Sequence, residues 1–170
     1  MPQTEAALPD TAPAPSDCEI RSFQPEDAAA FFALNEQWIS RHFGMEERDH
    51  LNLGNPRESI LDPGGHILMA FTGTRPVGCC ALIPEHPGEF ELAKMAVAED
   101  VRGQGLGRRI LLATVALART LGARRLTLGS STKLPNAVHL YESIGFLHIP
   151  VDRRPPALYA RADVFMEMDL

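Results

Sequence analysis

The clearest hydrophobic pattern in the chain lies between residues 106 and 122, directly after a glycine-rich turn. Apolar side chains recur there at helical spacing, and Gly122 follows as a helix stop. The apolar positions are Leu106, Ile110, Ala113, Leu117 and Leu121. We predict an amphipathic helix that turns these side chains toward the core.

Strand-type patterns flank this helix on both sides. HILMAFT and PVGCCALIP, joined by GTRP, predict an antiparallel hairpin, and EFELAKMAV predicts a third strand. After the helix, RRLTLGS predicts a strand, and Pro135 to Ile144 predicts a helix that Gly145 ends. FLHIP and ADVFMEMDL predict a final strand pair.

The amino-terminal part of the fold adds a strand, CEIRSF, and two helical regions. Pro25 and the two acids after it open a helix that runs to about His42 and ends at Gly44. A weaker helical region lies between residues 45 and 61. The expected core stripe of the first helix is Phe31, Leu34, Trp38 and Phe43. The order of strand, two helices, three strands, helix, strand, helix and two strands predicts a mixed α/β sheet.

The length and composition fit one domain. The chain has 170 residues, 45% of them hydrophobic, which is enough to bury a core. Residues 1–17 are rich in Pro and Ala and predict a disordered tail, so the folded domain is expected over residues 18–170. The sequence shows no membrane span and no signal peptide, and its three cysteines match neither a disulfide framework nor a metal site. We expect a cytoplasmic protein with no membrane partner and no bound metal.

Charge is strongly segregated along the chain. The formal net charge is −6, which argues against a nucleic-acid partner. Yet the segment from Val101 to Leu134 holds seven cations and no Asp or Glu. These cations are Arg102, Arg108, Arg109, Arg119, Arg124, Arg125 and Lys133. Those beside the glycines suggest a local anion site, whereas Arg119, Arg124 and Arg125 fit a solvated helix face equally well.

Three glycines at alternating positions, Gly103, Gly105 and Gly107, separate a predicted strand from a predicted helix. Such a turn presents unpaired backbone N–H groups and the positive end of the helix dipole to one point. It is not a dinucleotide fingerprint, because Arg108 stands where the third glycine belongs and no acid follows about 20 residues on. It is not a Walker loop either, because G-K-[ST] is absent.

The segment RGQGLG, residues 102–107, matches R/Q-x-x-G-x-G/A. Two further segments support the match: FELAKMAV before the loop, and AVHLYESIGF after it, which contains L-Y-x-x-x-G-F. With the three segments in this order, the chain resembles the GCN5-related N-acetyltransferase (GNAT) family over about Ile20 to Leu170. The resemblance implies a GNAT-type α/β fold of mixed, α+β-like character. Its central sheet, mostly antiparallel, would have about six or seven strands flanked by about four helices.

The resemblance also implies acetyl-coenzyme A as co-substrate, with its pyrophosphate held by backbone N–H groups of the glycine loop. The main chain of the strand before the loop would pair with the pantetheine arm. The implied contacts are Met95, Val97, Arg102, Gly103, Gln104, Gly105, Gly107 and Arg108, with Arg109 as an alternative to Arg108 and Lys133 nearby. Asn136 is a further candidate, although the position at which many relatives carry asparagine is Leu134 here.

Acetyl transfer to an amine needs a base for the amine and an acid for the leaving thiolate. Tyr141 matches the family's proton donor, and a packed core tyrosine is the alternative interpretation. Glu91 is the first candidate for the base, because strand alternation would put its side chain on the same face as that of Val97. The alternatives for the base are Glu89 and a water molecule alone. We interpret His139 as an exposed helix residue. Cys79 and Cys80 read as buried strand thiols.

The acceptor side is less clearly encoded. In the family the first helices and the last strand pair frame it. Here these elements contribute Trp38, Arg41, His42 and Phe43, together with Arg153 and Arg154, which could receive a carboxylate or be solvated. The sequence predicts an N-acetyltransferase acting directly on a primary amine of a small molecule or protein. The rival hypothesis is a non-catalytic acetyl-coenzyme A sensor or partner-binding module, and a homodimer is left open.

Overall fold

A computed structural model describes residues 17–170 of the chain. The predicted tail falls almost entirely on residues 1–16, which lie outside the described part. The strands are β1 (Cys18–Ser22), β2 (His66–Thr72), β3 (Arg75–His86), β4 (Glu89–Val97), β5 (Arg125–Ser130), β6 (Leu147–His148) and β7 (Val164–Asp169). The α-helices are α1 (Ala28–His42), α2 (Glu47–Gly54), α3 (Leu106–Thr120) and α4 (Pro135–Ile144).

The strands form one seven-stranded sheet in the order β1-β2-β3-β4-β5-β7-β6. Every neighbouring pair is antiparallel except β4 and β5, which run parallel. The expected mixed, mostly antiparallel sheet with helices around it is therefore confirmed. The weak helical region predicted between residues 45 and 61 is α2 followed by a π-helical turn, Arg57–Leu61.

Helices cover both faces of the sheet. Gly78 of β3 lies against α3 so closely that a Cβ there would fall 2.4 Å from Cδ1 of Ile110. The next residue, Cys79, points the other way, where its Sγ accepts a hydrogen bond from Nδ2 of Asn35 in α1 at 3.3 Å. Because alternate residues of a strand face opposite sides, α3 and α1 pack on opposite faces.

Two predicted helix stripes differ in detail from the structure. In α1, Phe31 and Leu34 are buried, but Ile39 completes the stripe while Trp38 and Phe43 are only half-buried. In α3 the buried face is displaced from the predicted one: Leu111, Val115 and Ala118 are buried, Ala113 and Leu117 are half-buried, and Leu121 is 39% exposed. Each helix rests across several strands, so its contact face follows the sheet rather than one row of apolar positions.

The sheet divides in the middle. Parallel pairing of β4 with β5 extends over only three residue pairs and ends at Glu91 opposite Thr127. Beyond this point the two strands are no longer paired, so the β5-facing edge of β4 from residue 92 to 97 has no strand beside it. The separation opens the sheet into a fork, and the loop to α3 and the start of α4 follow these strands at its open end.

No helix among residues 17–170 is long and apolar enough to span a membrane.

Candidate active site

A cleft of about 910 Å³ occupies the fork between β4 and β5. One wall is β4 from Glu91 to Val97, and the opposite wall is the end of β5 with the first residues of α4. The glycine loop lies at one end, and α1 with Tyr159 and Arg161 lies at the other. The cleft therefore collects most of the residues that the sequence singled out.

The glycine loop adopts a backbone that other residues rarely tolerate. Gly103 and Gly105 have φ of +78° and +79°, and a Cβ on either would meet no protein atom within 4 Å. Gly105 is the N-cap of α3, and no side chain caps that helix. The N–H groups of the first turn, from Leu106 to Arg108, have no carbonyl partner within the helix. Those donors and the positive end of the helix dipole are the features that favour an anion at this end of the cleft.

Gly107 lies closer to other side chains than the two glycines before it. A Cβ there would lie 3.4 Å from Cε of Met95 and 3.5 Å from Cδ2 of Leu140. These are ordinary van der Waals distances, so the space at this position would also accept an alanine.

Some of the cations predicted to bind an anion line the cleft, and one does not. Arg102 lines the cleft and donates from Nε to the carbonyl of Val97 at 3.0 Å. Arg108 and Lys133 also line it, with Arg108 donating to Ser143 Oγ at 3.1 Å. Arg109 instead reaches the carbonyl of Cys18 on β1 at 3.0 Å. Of the alternatives Arg108 and Arg109, only Arg108 faces the cleft.

Two further predicted contacts have different outcomes. Asn136 lies in the first turn of α4 and lines the cleft, as does Leu134 before it. Gln104 lies between two cleft-lining glycines but is not itself among the lining residues. Any contact that Gln104 makes with a ligand in the cleft must therefore come from its backbone or from a moved side chain.

Tyr141 is placed by α4 on the wall of the cleft and is 9% exposed. Its ring packs edge-on against Phe146, with centroids 6.0 Å apart. Its hydroxyl has one weak neighbour, Sδ of Met95 at 3.9 Å, and no backbone group as partner. Burial, with a smaller contribution from Cys80, raises the pKa of Tyr141, so the side chain stays protonated at ordinary pH. The O–H is available to donate into the cleft.

Glu91 stands where β4 and β5 separate, and it is 9% exposed. Burial, together with Glu85, raises the pKa of its carboxyl, while Arg48 and Lys94 act in the opposite direction. A raised pKa suits a group that must accept a proton near neutral pH. Glu89, the alternative base, pairs with Arg125 at the closed end of the fork and does not line the cleft.

The alternation argument that put Glu91 and Val97 on one face is wrong. Glu91 pairs with Ile83 and Val97 pairs with Gly78, five positions apart on β3, so the two side chains face opposite sides. The cause is a β-bulge at Lys94, where φ is +52° and the register with β3 shifts. Val97 points toward α3, and Glu91 points toward α1 and α2.

Sequence reasoning missed a buried ionic cluster beside Glu91. Lys94 Nζ lies 2.6 Å from Asp49 Oδ1 and donates to the hydroxyl of Tyr159 at 3.0 Å. Arg161 binds both oxygens of Asp49, at 2.6 and 2.8 Å, and also Glu46 at 3.2 Å. The one available signal was a lysine inside the otherwise apolar run of residues 92–97, since lysine is almost never buried without a partner.

The acceptor-side candidates divide by position. Trp38, Arg41, His42 and Phe43 line the cleft, and Arg41 forms an ion pair with Glu99. Arg153 and Arg154 do not line it. Arg153 pairs with Glu167 at 3.0 Å, and Arg154 donates to the carbonyl of Ile149 at 3.2 Å. Their predicted role as carboxylate receivers has no support in this geometry.

The three remaining candidates are one exposed histidine and two buried cysteines. His139 lines the cleft edge but is 85% exposed, 4.0 Å from Glu142. Cys79 and Cys80 are completely buried, and burial raises the pKa of both thiols, so they are unreactive strand residues as expected. No cluster of metal-ligating side chains occurs between residues 17 and 170.

Comparison with known proteins agrees with this architecture. A mycothiol acetyltransferase of Pseudarthrobacter chlorophenolicus is 29% identical over 159 residues, which is 89% of this chain and 49% of that protein. The uncharacterised N-acetyltransferase YvbK of Bacillus subtilis is 27% identical over 66% of this chain and 77% of its own length. The chain spans about half the length of the mycothiol acetyltransferases it matches.

Solved structures share the fold at low identity. A GNAT-family acetyltransferase of Staphylococcus aureus superposes with a TM-score of 0.81 at 18% identity, covering 89% of this chain and 98% of that one. Residues 21–146 match the Acetyltransferase (GNAT) family. The forked sheet, the glycine loop at the start of α3 and this match together show that the chain belongs to the GNAT acetyltransferase family.

Proposed function

We propose that the protein is an acetyl-coenzyme A-dependent N-acetyltransferase that transfers the acetyl group directly to a primary amine of a small molecule or protein. The observation that carries the proposal is the cleft at the β4–β5 fork. The glycine loop with the uncapped start of α3 lies at its end, and a protonated tyrosine and a buried glutamate lie on its walls. Such an arrangement can hold a phosphate-bearing donor and manage two protons.

The residues that line the cleft fit acetyl-coenzyme A. Gly103 and Gly105 leave room for a phosphate to approach the uncapped N–H groups of α3, and Arg102, Arg108 and Lys133 supply positive charge. The free edge of β4, including the main chain of Met95 and Val97, can pair with an extended pantetheine arm. Bound here, acetyl-coenzyme A supplies an acetyl group activated as a thioester. The protein's task is to orient that group and to move protons.

Tyr141 is the proposed acid. Its hydroxyl is protonated, faces the cleft beside Met95 and is not engaged by a strong acceptor, so its proton is free to go to the departing sulfur. Glu91 is the proposed base. It lies on the α1/α2 side of the sheet, where Trp38 and Phe43 also line the cleft, and its carboxylate would take a proton from the amine directly or through water.

The decisive experiment combines two measurements on the wild-type protein. Calorimetry with acetyl-coenzyme A measures donor binding, and release of free thiol over a panel of primary amines, with mass spectrometry of the products, measures transfer. We expect micromolar binding and at least one acetylated amine. Tight donor binding with no acetylated amine would favour the sensor module, and absence of donor binding would exclude both functions.

A further inference from the structure

Three side chains form one wall of the cleft on the α1/α2 side of the sheet, and we call Lys94, Tyr159 and Arg161 the donor wall. They come from β4 and from the loop before β7, and all three line the cleft. Each carries hydrogen-bond donors: a lysine ammonium, a phenol and a guanidinium. The wall lies beside Glu91, which belongs to the same strand as Lys94.

The hydrogen bonds of the Tyr159 hydroxyl indicate that this group presents a donor to the cleft. Its oxygen accepts a hydrogen bond from Nζ of Lys94 at 3.0 Å and another from Nδ2 of Asn52 at 3.4 Å. A phenol oxygen has two lone pairs and one proton. Both lone pairs are used in this way, and the proton has no acceptor among the residues that the structure describes. The O–H can therefore donate to a ligand or to water in the cleft.

The two cations of the wall also retain unused donors. Nζ of Lys94 carries three protons and makes two hydrogen bonds, to Asp49 and Tyr159. Arg161 carries five and makes three, to Asp49 and Glu46. Neither of these carboxylates lines the cleft, because Asp49 is fully buried behind the wall and Glu46 lies outside the lining. The donor wall itself therefore presents hydrogen-bond donors and no carboxylate to a ligand.

The wall is held rigidly. The guanidinium of Arg161 lies 4.2 Å above the ring of Tyr159, and 5.7 and 5.9 Å from the ring centres of Trp38 and Phe43. Stacking of this kind fixes a planar guanidinium and lowers the entropy lost on ligand binding. Among residues 17–170, Glu91 is the one carboxylate that lines the cleft, so an amine and an anion would find separate partners on this side.

We infer that the acceptor is an amine that also carries a carboxylate, with the carboxylate bound by Lys94, Tyr159 and Arg161 while the amine faces Glu91. This inference rests on the proposed N-acetyltransferase function. It assigns the carboxylate to the donor wall instead of to Arg153 and Arg154, which lie outside the cleft. A carboxylate fits better than an amide, because a carboxylate accepts at both oxygens and complements the positive donors.

The test uses three matched amines: L-leucine, L-leucinamide and isoamylamine. We expect kcat/KM to be at least about 10-fold higher for leucine than for either of the others. Tyr159→Phe keeps the ring that stacks on Arg161 and removes only the hydroxyl. It should lower kcat/KM for leucine, mainly through KM, by about 10- to 100-fold more than it lowers kcat/KM for isoamylamine.

Arg153→Gln is the matched control, because it removes a cation from the same loop but outside the cleft. It should leave the preference for leucine as in the wild type. Equal use of the three amines would overturn the inference. An equal loss for all three in Tyr159→Phe would also overturn it, because that result would mean that the hydroxyl only holds the fold.

A binding measurement separates failure of this inference from failure of the proposed function. With coenzyme A at saturation, N-acetyl-L-leucine and N-isopentylacetamide are titrated into the wild type and into Tyr159→Phe. We expect at least about 10-fold tighter binding of the carboxylate compound to the wild type, reduced in the variant. If the carboxylate adds no affinity, the inference fails even if amines are acetylated. If it adds affinity that Tyr159→Phe removes, the subsite stands even without turnover.

Discussion

Nζ of Lys94 lies 2.6 Å from Oδ1 of Asp49, and the two side chains are 3% and 0% exposed. The pair joins β4 to α2 across 45 positions of sequence. Burial by itself raises the pKa of Asp49, but hydrogen bonds from Arg161 and Lys94 outweigh it and hold the pKa far below its usual range. The carboxylate therefore anchors both cations of the donor wall.

Asp49→Asn should destabilise the protein by about 3 kcal/mol, because it leaves the buried ammonium of Lys94 without a counter-charge and Arg161 with only Glu46. For a chain of this size that corresponds to a fall of roughly 10 °C in the melting temperature. Thermal unfolding followed by circular dichroism measures it. The control is Asp100→Asn, which breaks an exposed ion pair with Arg75 and should melt like the wild type. Equal melting of both variants would contradict the anchoring role.

The same carboxylate predicts a pH dependence of stability. Because the pKa of Asp49 is lowered on folding, the ionised form stabilises the protein above the unfolded pKa of about 4, and this stability is lost as the pH falls toward the folded pKa. Urea unfolding between pH 5 and roughly pH 3 should show a steeper loss for the wild type than for Asp49→Asn. Parallel curves would refute this linkage.

Gly105→Val should abolish detectable binding of acetyl-coenzyme A, weakening it by at least about 100-fold, because a side chain there blocks approach to the N–H groups of α3. Calorimetry measures the affinity. Gly122→Val is the control at the other end of α3, with φ of +77° and open space around its Cβ, as at Gly105. Both variants carry similar backbone strain, so retained binding only in Gly122→Val isolates the loop.

Tyr141→Phe should lower kcat by about 10- to 10⁴-fold, the range for loss of a general acid, while leaving donor affinity nearly unchanged. Stability should change little, because the hydroxyl has only the 3.9 Å neighbour Met95 Sδ. Steady-state kinetics and calorimetry on the same preparation check both statements. Wild-type turnover in a folded variant would contradict the role of Tyr141 as an acid and would favour a packing role.

Glu91→Gln should keep acetyl-coenzyme A binding and lower acetylation most near neutral pH, with a smaller loss at high pH, where more amine is already deprotonated. Since the pKa of Glu91 is raised by burial, the wild-type rate should rise with pH through a value above the usual range of a glutamate. Glu89→Gln, outside the cleft, is the control and should keep the wild-type profile. A loss that is the same at every pH would indicate substrate positioning instead.

Most of the fold could be predicted from the sequence because its elements are specified by neighbours a few residues apart. The helix after the glycine turn, the hairpin and the strand before the loop all occupy the expected segments. The glycine loop could be predicted equally well, because Gly103 and Gly105 have the positive φ for which glycine is the usual choice. Tyr141 was readable from a local motif, and its catalytic role stays a prediction.

The face of the sheet toward which each side chain points could not be predicted from local pattern. Alternation puts Glu91 and Val97 on one face, but the bulge at Lys94 reverses that order. The carbonyl of Lys94 accepts a hydrogen bond from Cys79 at 3.3 Å, and its ammonium binds Asp49. Both contacts involve residues far away in sequence, so no local pattern predicts the bulge. Arg108 and Arg109 illustrate the same limit, since adjacent arginines on a helix point to different partners.

The sequence by itself therefore determined the order of the elements, the backbone of the glycine loop and the family, because each depends on local propensity or on a contiguous motif. Only the tertiary structure decided the opening of the fork and which residues line the cleft beside Glu91. The donor wall joins β4 to a loop more than 60 positions later, and Arg161 reaches Asp49 across 112. Charges so far apart in sequence meet only when the sheet and α2 pack, since a buried cation is stable only beside a partner supplied by the fold.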